Sequence, residues 1–245
     1  MVASTAELER PMLRMGSIAF LAGIVIIIVS TLFHASSEDL MDNPVVFAVY
    51  AESDPWIASH IGQFSGILLI FAGGFVALYR LLVKSESGTA SALSWLGLVT
   101  AILVASTFAI LQAVDGVALK IAVNTWHAIP LTADSEEEKA IAFRVAEGIR
   151  WTEIGINSYN RILQGAVAIF FGVAIAKSAL LSRWIGGLGI FAGAATIIAS
   201  VGVAYVGFST SQALLSVVST VTSFAWLVIL GIFMWRKMRV KIITR

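Results

Sequence analysis

The chain has 245 residues, 58% of them hydrophobic and only 13% charged, with three histidines, no cysteine and a formal net charge of +1. A soluble domain carries roughly a quarter of its residues as charges, so this chain lies outside that class, and the near-neutral balance without a basic cluster beyond the flanks of apolar runs excludes a nucleic-acid partner. The missing thiols exclude disulfides, thiolate metal sites, iron–sulfur clusters and a cysteine nucleophile.

The apolar pattern predicts an all-α protein of six membrane spans, at about 15–34, 57–82, 91–114, 154–176, 185–207 and 212–235. Each is near or above the roughly 18 apolar residues that suggest a crossing. The first comes after Arg10 and Arg14, and its apolar core from Ile18 to Phe33 is longer than a signal-peptide h-region, so it is read as a span. A loop over 35–55 comes next, with Asp42-Asn43-Pro44 and Asp54-Pro55 as turn signals. Between them PVVFAVYA predicts a short interfacial helix, Pro44 in its first turn and Tyr50 at the water boundary. SESGTA joins spans two and three. The third span keeps its helical period through GVALKIAVNTWHA and is predicted to reach about His127. Ser135 and Glu138 have capping-box spacing, and the helix they open is predicted to run unbroken from about 136 to 178. At 1.5 Å per residue it is roughly 60 Å long, about twice the hydrocarbon thickness. Segment 115–150 therefore predicts a helical hairpin standing out of the membrane, with IPLTAD at its tip. SALLSR joins spans four and five, and the tail WRKMRVKIITR reads as a stop-transfer flank. Trp56, Trp126, Trp151, Trp184 and Trp235 fit boundary anchors.

Orientation is set by the basic residues. Arg10, Arg14, Arg80, Lys84, Lys177, Arg183, Arg236, Lys237, Arg239, Lys241 and Arg245, eleven of sixteen, fall on one side. The other side holds Glu38, Asp39, Asp42, Glu52, Asp54, Asp134 and Glu136 to Glu138. Both termini are predicted to be cytoplasmic, with 35–55 and 115–150 extracytoplasmic, in one integral domain of the cell membrane covering 1–245. A faint internal repeat pairs GILLIFAG (66–73) with GAVAIFFG (165–172), and LAGIVIIIVS (21–30) with FAGAATIIAS (191–200).

The order FHASSEDLMDNPVVFAVYAESDPWIASHIGQF, then LQAVDGVALK, then RWTEIGINSYNR resembles small multi-pass prokaryotic integral membrane proteins of unknown function, over most of the chain to about Phe208. The resemblance implies the multi-pass architecture and no activity, substrate or catalytic residue.

Polar residues inside spans narrow the place where chemistry could occur, because a charge in a bilayer needs a partner, water or a task. Packing the hairpin about its tip predicts that Asp115 faces Arg150, Lys120 faces Glu147 and Gln112 faces Glu153, an ordinary set of interhelical pairs. Arg150, Glu153, Asn157, Arg161 and Gln164 recur every three or four residues and share one helical stripe. Arg161 cannot shed its charge, and its predicted opposite number, Val104, offers nothing polar. Trp56, His60 and Gln63 share a face of span two, and His34 sits at the same boundary. Three readings stand: a structural hydrogen-bond network, a pocket for an amphiphile, or part of a transport or proton path. The leading expectation is an enzyme or binder for a lipid or isoprenoid that uses general acid/base chemistry. In it Arg161 and Asn157 hold the polar head, beside Gln164, Gln112 and Arg150. Glu153 or Asp115 moves a proton, and His60 and Gln63 orient. A small transporter and an accessory subunit are the alternatives; the expected partners are membrane lipids and an amphiphilic small molecule. No cofactor or metal is expected, since His34, His60 and His127 show no HxxxH, HExxH or ExxH spacing. A set of His34 and His60 with Glu52 or Glu153 is geometrically possible. No glycine loop for phosphate and no GxSxG elbow occurs.

Overall fold

The computed structural model describes residues 5–35 and 41–243. Glu38, Asp39 and Arg245 lie outside the described residues, as do the side chains of Arg239 and Lys241. The helices are α1 (Thr5–Leu32), α2 (Asn43–Glu52), α3 (Trp56–Leu82), α4 (Gly88–Ala128), α5 (Glu136–Ser178), α6 (Arg183–Val206) and α7 (Thr210–Ile243). All but α2 contain a stretch long and apolar enough to cross a membrane. The protein is an all-α, six-helix membrane-spanning bundle, as the hydropathy pattern predicted. Helices suit that solvent because each satisfies its own backbone where no water can.

Apolar side chains occupy both sides of these helices. Val25, Ile28, Ile102, Leu103, Ile198 and Val217 point outward, which is the arrangement lipid tails require. Phe20, Phe75, Leu78, Phe171 and Trp226 are buried in the main core. Phe75 stacks on Phe171 with centroids 5.0 Å apart, and the Trp226 indole donates to the Ile185 carbonyl at 3.0 Å.

Two helix pairs close on glycine. A Cβ on Gly66 would stand 2.7 Å from the Gly23 carbonyl, and one on Gly165 would stand 2.6 Å from the Gly193 carbonyl. Backbones this near exclude any side chain, which is how small residues drive helix association in lipid. The four glycines are equivalent positions of the internal repeat. Their chain order is reversed in the second pair, so the shared seam is a common packing solution and not a tandem copy.

α3 and α4 each contain a wide π turn, at Leu69–Gly74 and Ala113–Leu119. Such a turn accommodates about one extra residue and rotates the rest of the helix by roughly 100° relative to a plain α-helix. In α4 the rotation overturns the predicted register. Lys120 does not meet Glu147; its ammonium donates to the carbonyls of Tyr50, Ala51 and Ser53 at 2.7, 2.8 and 3.0 Å. Glu147 accepts instead from Arg144 at 2.6 Å and from Asn43 at 3.1 Å.

α4 and α5 form an antiparallel hairpin joined by 129–135, close to the predicted ends. The capping box does not form: the Ser135 hydroxyl donates to the Pro130 carbonyl at 2.5 Å rather than capping α5. Glu136, Glu137 and Glu138 still fill the first turn, where the helix dipole favours anions. α2 begins with Pro44 in its first turn, as expected, and lies on the hairpin through a second core of Val46, Phe47, Trp56, Leu119 and Val123. Tyr50 and Trp56 are buried there rather than exposed at a water boundary.

At the opposite end, the Ser85 hydroxyl bonds the Ser178 carbonyl and Lys237 bonds the Leu180 carbonyl. Arg14 lies 5.6 Å from the Trp235 ring. Of the basic residues placed together by the sequence pattern, Arg14 and Lys237 are thus found at this end of the bundle.

Candidate functional site

Between the second core and the membrane core lies a cavity of about 300 Å3, lined by His34, Tyr50, Gln63, Gln112, Asp115, Arg150, Glu153, Asn157 and Phe208 among others. It draws on the end of α1, α2, the first turns of α3, the π turn of α4, the middle of α5 and the α6–α7 loop.

The π turn sets its most distinctive contact. It aims Asp115 at α3, and Gly116 allows the approach, since a Cβ there would lie 2.7 Å from that of His60. His60 Nε2 is 3.0 Å from Asp115 Oδ2, and His60 is only 2% exposed. The other imidazole nitrogen, Nδ1, donates to the Trp56 carbonyl at 2.7 Å. The Trp56 indole in turn donates to the Asp115 carbonyl at 3.2 Å. His34 joins from α1, its ring centroid 5.0 Å from that of His60 and 4.7 Å from that of Trp56. His34 Nδ1 donates to the Ala35 carbonyl at 2.7 Å. Burial, and then the neighbouring His60, lower the His34 pKa from its ordinary value, so the ring is neutral at pH 7. Ligand atoms of His34, His60 and Asp115 all lie within 4.8 Å of one another. The carboxylate that completes the pair of histidines is therefore Asp115, in place of Glu52 or Glu153. Two acceptors on this wall, Asp115 Oδ1 and Gln112 Oε1, are buried without a hydrogen-bond partner among the described residues.

The facing wall carries an ion pair. Arg150 donates to Glu153 Oε2 at 3.1 Å and to the Tyr50 hydroxyl at 2.9 Å, with Arg150 3% and Glu153 4% exposed. Asp115 does not bond Arg150, and Gln112 does not bond Glu153; the cavity separates the predicted pairs. Burial raises the Tyr50 phenol to about 12, which keeps its proton on. The guanidinium also lies over the Tyr50 and Phe208 rings, 5.2 and 5.4 Å from their centroids.

Of the residues singled out in the sequence, His60, Asp115, Gln112, Gln63, Arg150, Glu153 and Asn157 are brought together around this cavity. Arg161 and Gln164 are not. Arg161 donates to the Ser219 hydroxyl on α7 at 2.8 Å, and Gln164 donates to Asn160 at 2.7 Å. The helical stripe is real as an angle, but Arg161 stands eleven residues, roughly 16 Å, along α5 from Arg150. At that level α7 replaces the cavity. Asn160, which pattern reading passed over, bonds the Val104 carbonyl at 2.9 Å and the Thr107 hydroxyl at 2.6 Å. Tyr50 and Phe208 entered no predicted ligand set, whereas His34, paired with His60 in the sequence reading, is found beside it. Tyr50 and Phe208 carried no periodic signal, lying on a short helix and a loop.

A second hollow, about 190 Å3 and almost wholly apolar, runs on the lipid-facing side between α3 and α4. Ile57, Ile61 and Val117 form its exposed rim, and His60 and Gln112 its floor. Gln112 lines both spaces.

Residues 15–237 match the family described as Domain of unknown function (DUF4386). The chain belongs to that family. No curated protein and no solved structure matches this DUF4386 chain. What can be stated of its chemistry comes from the site itself, a buried histidine–carboxylate cluster in a membrane bundle that is suited to binding or catalysis.

Proposed function

We propose that this DUF4386 protein is a membrane-embedded enzyme or binder for an amphiphilic lipid or isoprenoid, with the polar head in the 300 Å3 cavity and the tail along the apolar groove. The observation that carries this reading is the junction at Gln112, where a polar chamber and a lipid-facing apolar groove share one side chain. A solely polar ligand has no use for the groove, and a solely apolar one has none for Arg150 and Glu153.

The residues take distinct parts. Arg150 supplies a fixed positive charge to an anionic or carbonyl-bearing head, and the protonated Tyr50 hydroxyl donates beside it. Asn157 and Gln63 offer amides that select for shape. Glu153, held by Arg150, is the group that accepts and returns a proton. His60 and Asp115 fix the far side. In this reading Arg161 and Gln164 keep their structural bonds to Ser219 and Asn160. The hairpin end faces away from the cytoplasm and both termini lie inside, on the strength of the basic asymmetry.

The test is lipid analysis of the purified protein in nanodiscs. The wild type is expected to retain a defined amphiphile that the Gln63→Leu/Asn157→Leu double variant loses while its thermal unfolding is kept. Turnover of that recovered amphiphile should drop about 10²–10⁴-fold in Glu153→Gln without loss of binding. Identical lipid content in wild type and double variant overturns the reading.

A further inference from the structure

We propose that His34, His60 and Asp115 form a binding site for a divalent transition metal of the zinc class. The inference rests on the reading of the outer cavity as the functional site, because that cavity supplies the open coordination position. The donor chemistry argues for it directly. A carbonyl oxygen can only accept, so the Trp56 contact makes His60 Nδ1 an N–H, and Nε2 is the nitrogen left to bind a proton or a metal. That nitrogen faces a carboxylate oxygen at 3.0 Å. At that distance the two atoms share a proton or a metal ion.

A single proton bridges only two atoms. His34 is oriented in the same way, its Nδ1–H donated to the Ala35 carbonyl and its Nε2 freed. Asp115 Oδ1 has no partner among the described residues. A divalent ion takes one donor from each of the three residues at once. Both imidazoles also donate their remaining N–H to backbone carbonyls, the outer-shell arrangement that fixes the tautomer of metal-bound histidine. Donors about 2.1 Å from a tetrahedral zinc stand about 3.4 Å apart. The His60–Asp115 pair already sits near that separation, and the 4.8 Å limit on the whole set leaves at most about 1.4 Å for the half-buried His34 ring to close.

Two nitrogens and one carboxylate oxygen suit zinc better than magnesium or calcium, which favour all-oxygen shells. Three protein ligands with a vacant fourth direction are the arrangement of catalytic zinc rather than of closed structural sites. Two of the three ligands, His34 and Asp115, line the same cavity as Arg150, Glu153 and Tyr50, which gives a fourth ligand room to enter.

The experiment uses full-length protein in nanodiscs, purified without a histidine tag, stripped with chelator and dialysed against equal Zn2+, Co2+ and Fe2+. Wild type is expected to hold one zinc per chain by elemental analysis. With Co2+ alone it should show visible d–d bands that added Zn2+ abolishes. Asp115→Asn and His34→Gln should each weaken binding by roughly tenfold or more; His34, half-buried at a helix end, gives a variant whose fold circular dichroism can verify. The inference is overturned if wild type holds no more zinc than the His34→Gln/Asp115→Asn double variant, or if iron is taken in preference to zinc. Lipid content is read on the same samples. Zinc bound without an amphiphile counts against the proposed function alone, and an amphiphile bound without zinc counts against the metal site alone.

Discussion

Lys120 closes the open end of α2. Its ammonium takes three carbonyls at the C-terminus of that helix, the position where unsatisfied acceptors and the negative end of the helix dipole coincide. Hydrogen bonds to a charged group contribute about 1.5–3 kcal/mol, so Lys120→Met is expected to lower stability by about 2–3 kcal/mol. Thermal unfolding in detergent reads this, and an unchanged midpoint would sink the assignment. The spacing of Arg150, Glu153 and Asn157 was legible because α5 is a regular helix and three- or four-residue steps stay on one face. The partner of Asp115 was not. His60 lies fifty-five positions away in the chain, and spacing alone cannot reveal which face of another helix is opposite. Arg161 shows the same limit from the other side: its charge singled it out, but only packing shows that Ser219 receives it.

At the level of elements, the unbroken run of α5 and the extension of α4 to Ala128 could be read from periodicity and the lack of breakers before Pro130. The π turn at 113–119 could not, since no residue type marks it. Yet it determines the site, turning Asp115 toward α3 and Lys120 toward α2. Gly116 is what permits the approach. Gly116→Val places a side chain where the His60 Cβ already stands, and overpacking of this kind costs about 1–3 kcal/mol. The expected outcome is a lowered unfolding temperature together with loss of the co-purified amphiphile. A variant that unfolds and retains lipid like the wild type would show that α3 and α4 are not held this closely.

The whole molecule separates its tasks by level. The basic end is tied by Ser85–Ser178 and Lys237–Leu180 contacts, glycine seams close the middle, and the polar cavity occupies the end from which the hairpin leaves. Hydropathy made six spans legible, because burying twenty-residue apolar stretches in lipid dominates every local preference. Sidedness is read from charge and is tested simply, because the chain has no cysteine of its own. In intact cells, Thr132→Cys at the hairpin tip is expected to react with an impermeant maleimide, and Glu86→Cys in the α3–α4 loop only after lysis. The opposite labelling pattern would invert the topology.

Phe208 reaches the cavity from a loop whose first residue, Gly207, has a φ of +67°, a conformation that costs other residues and suits glycine. The polar groups of the chamber all precede this point in the chain, whereas one of the two rings over Arg150, that of Phe208, comes after it. A shortened protein ending at α6 would keep the polar groups of the chamber and lose the Phe208 ring over Arg150. What α7 adds is therefore mostly packing, Trp226 and Leu230 in the core and Ser219 under Arg161, while the loop before it sets one ring on the chamber.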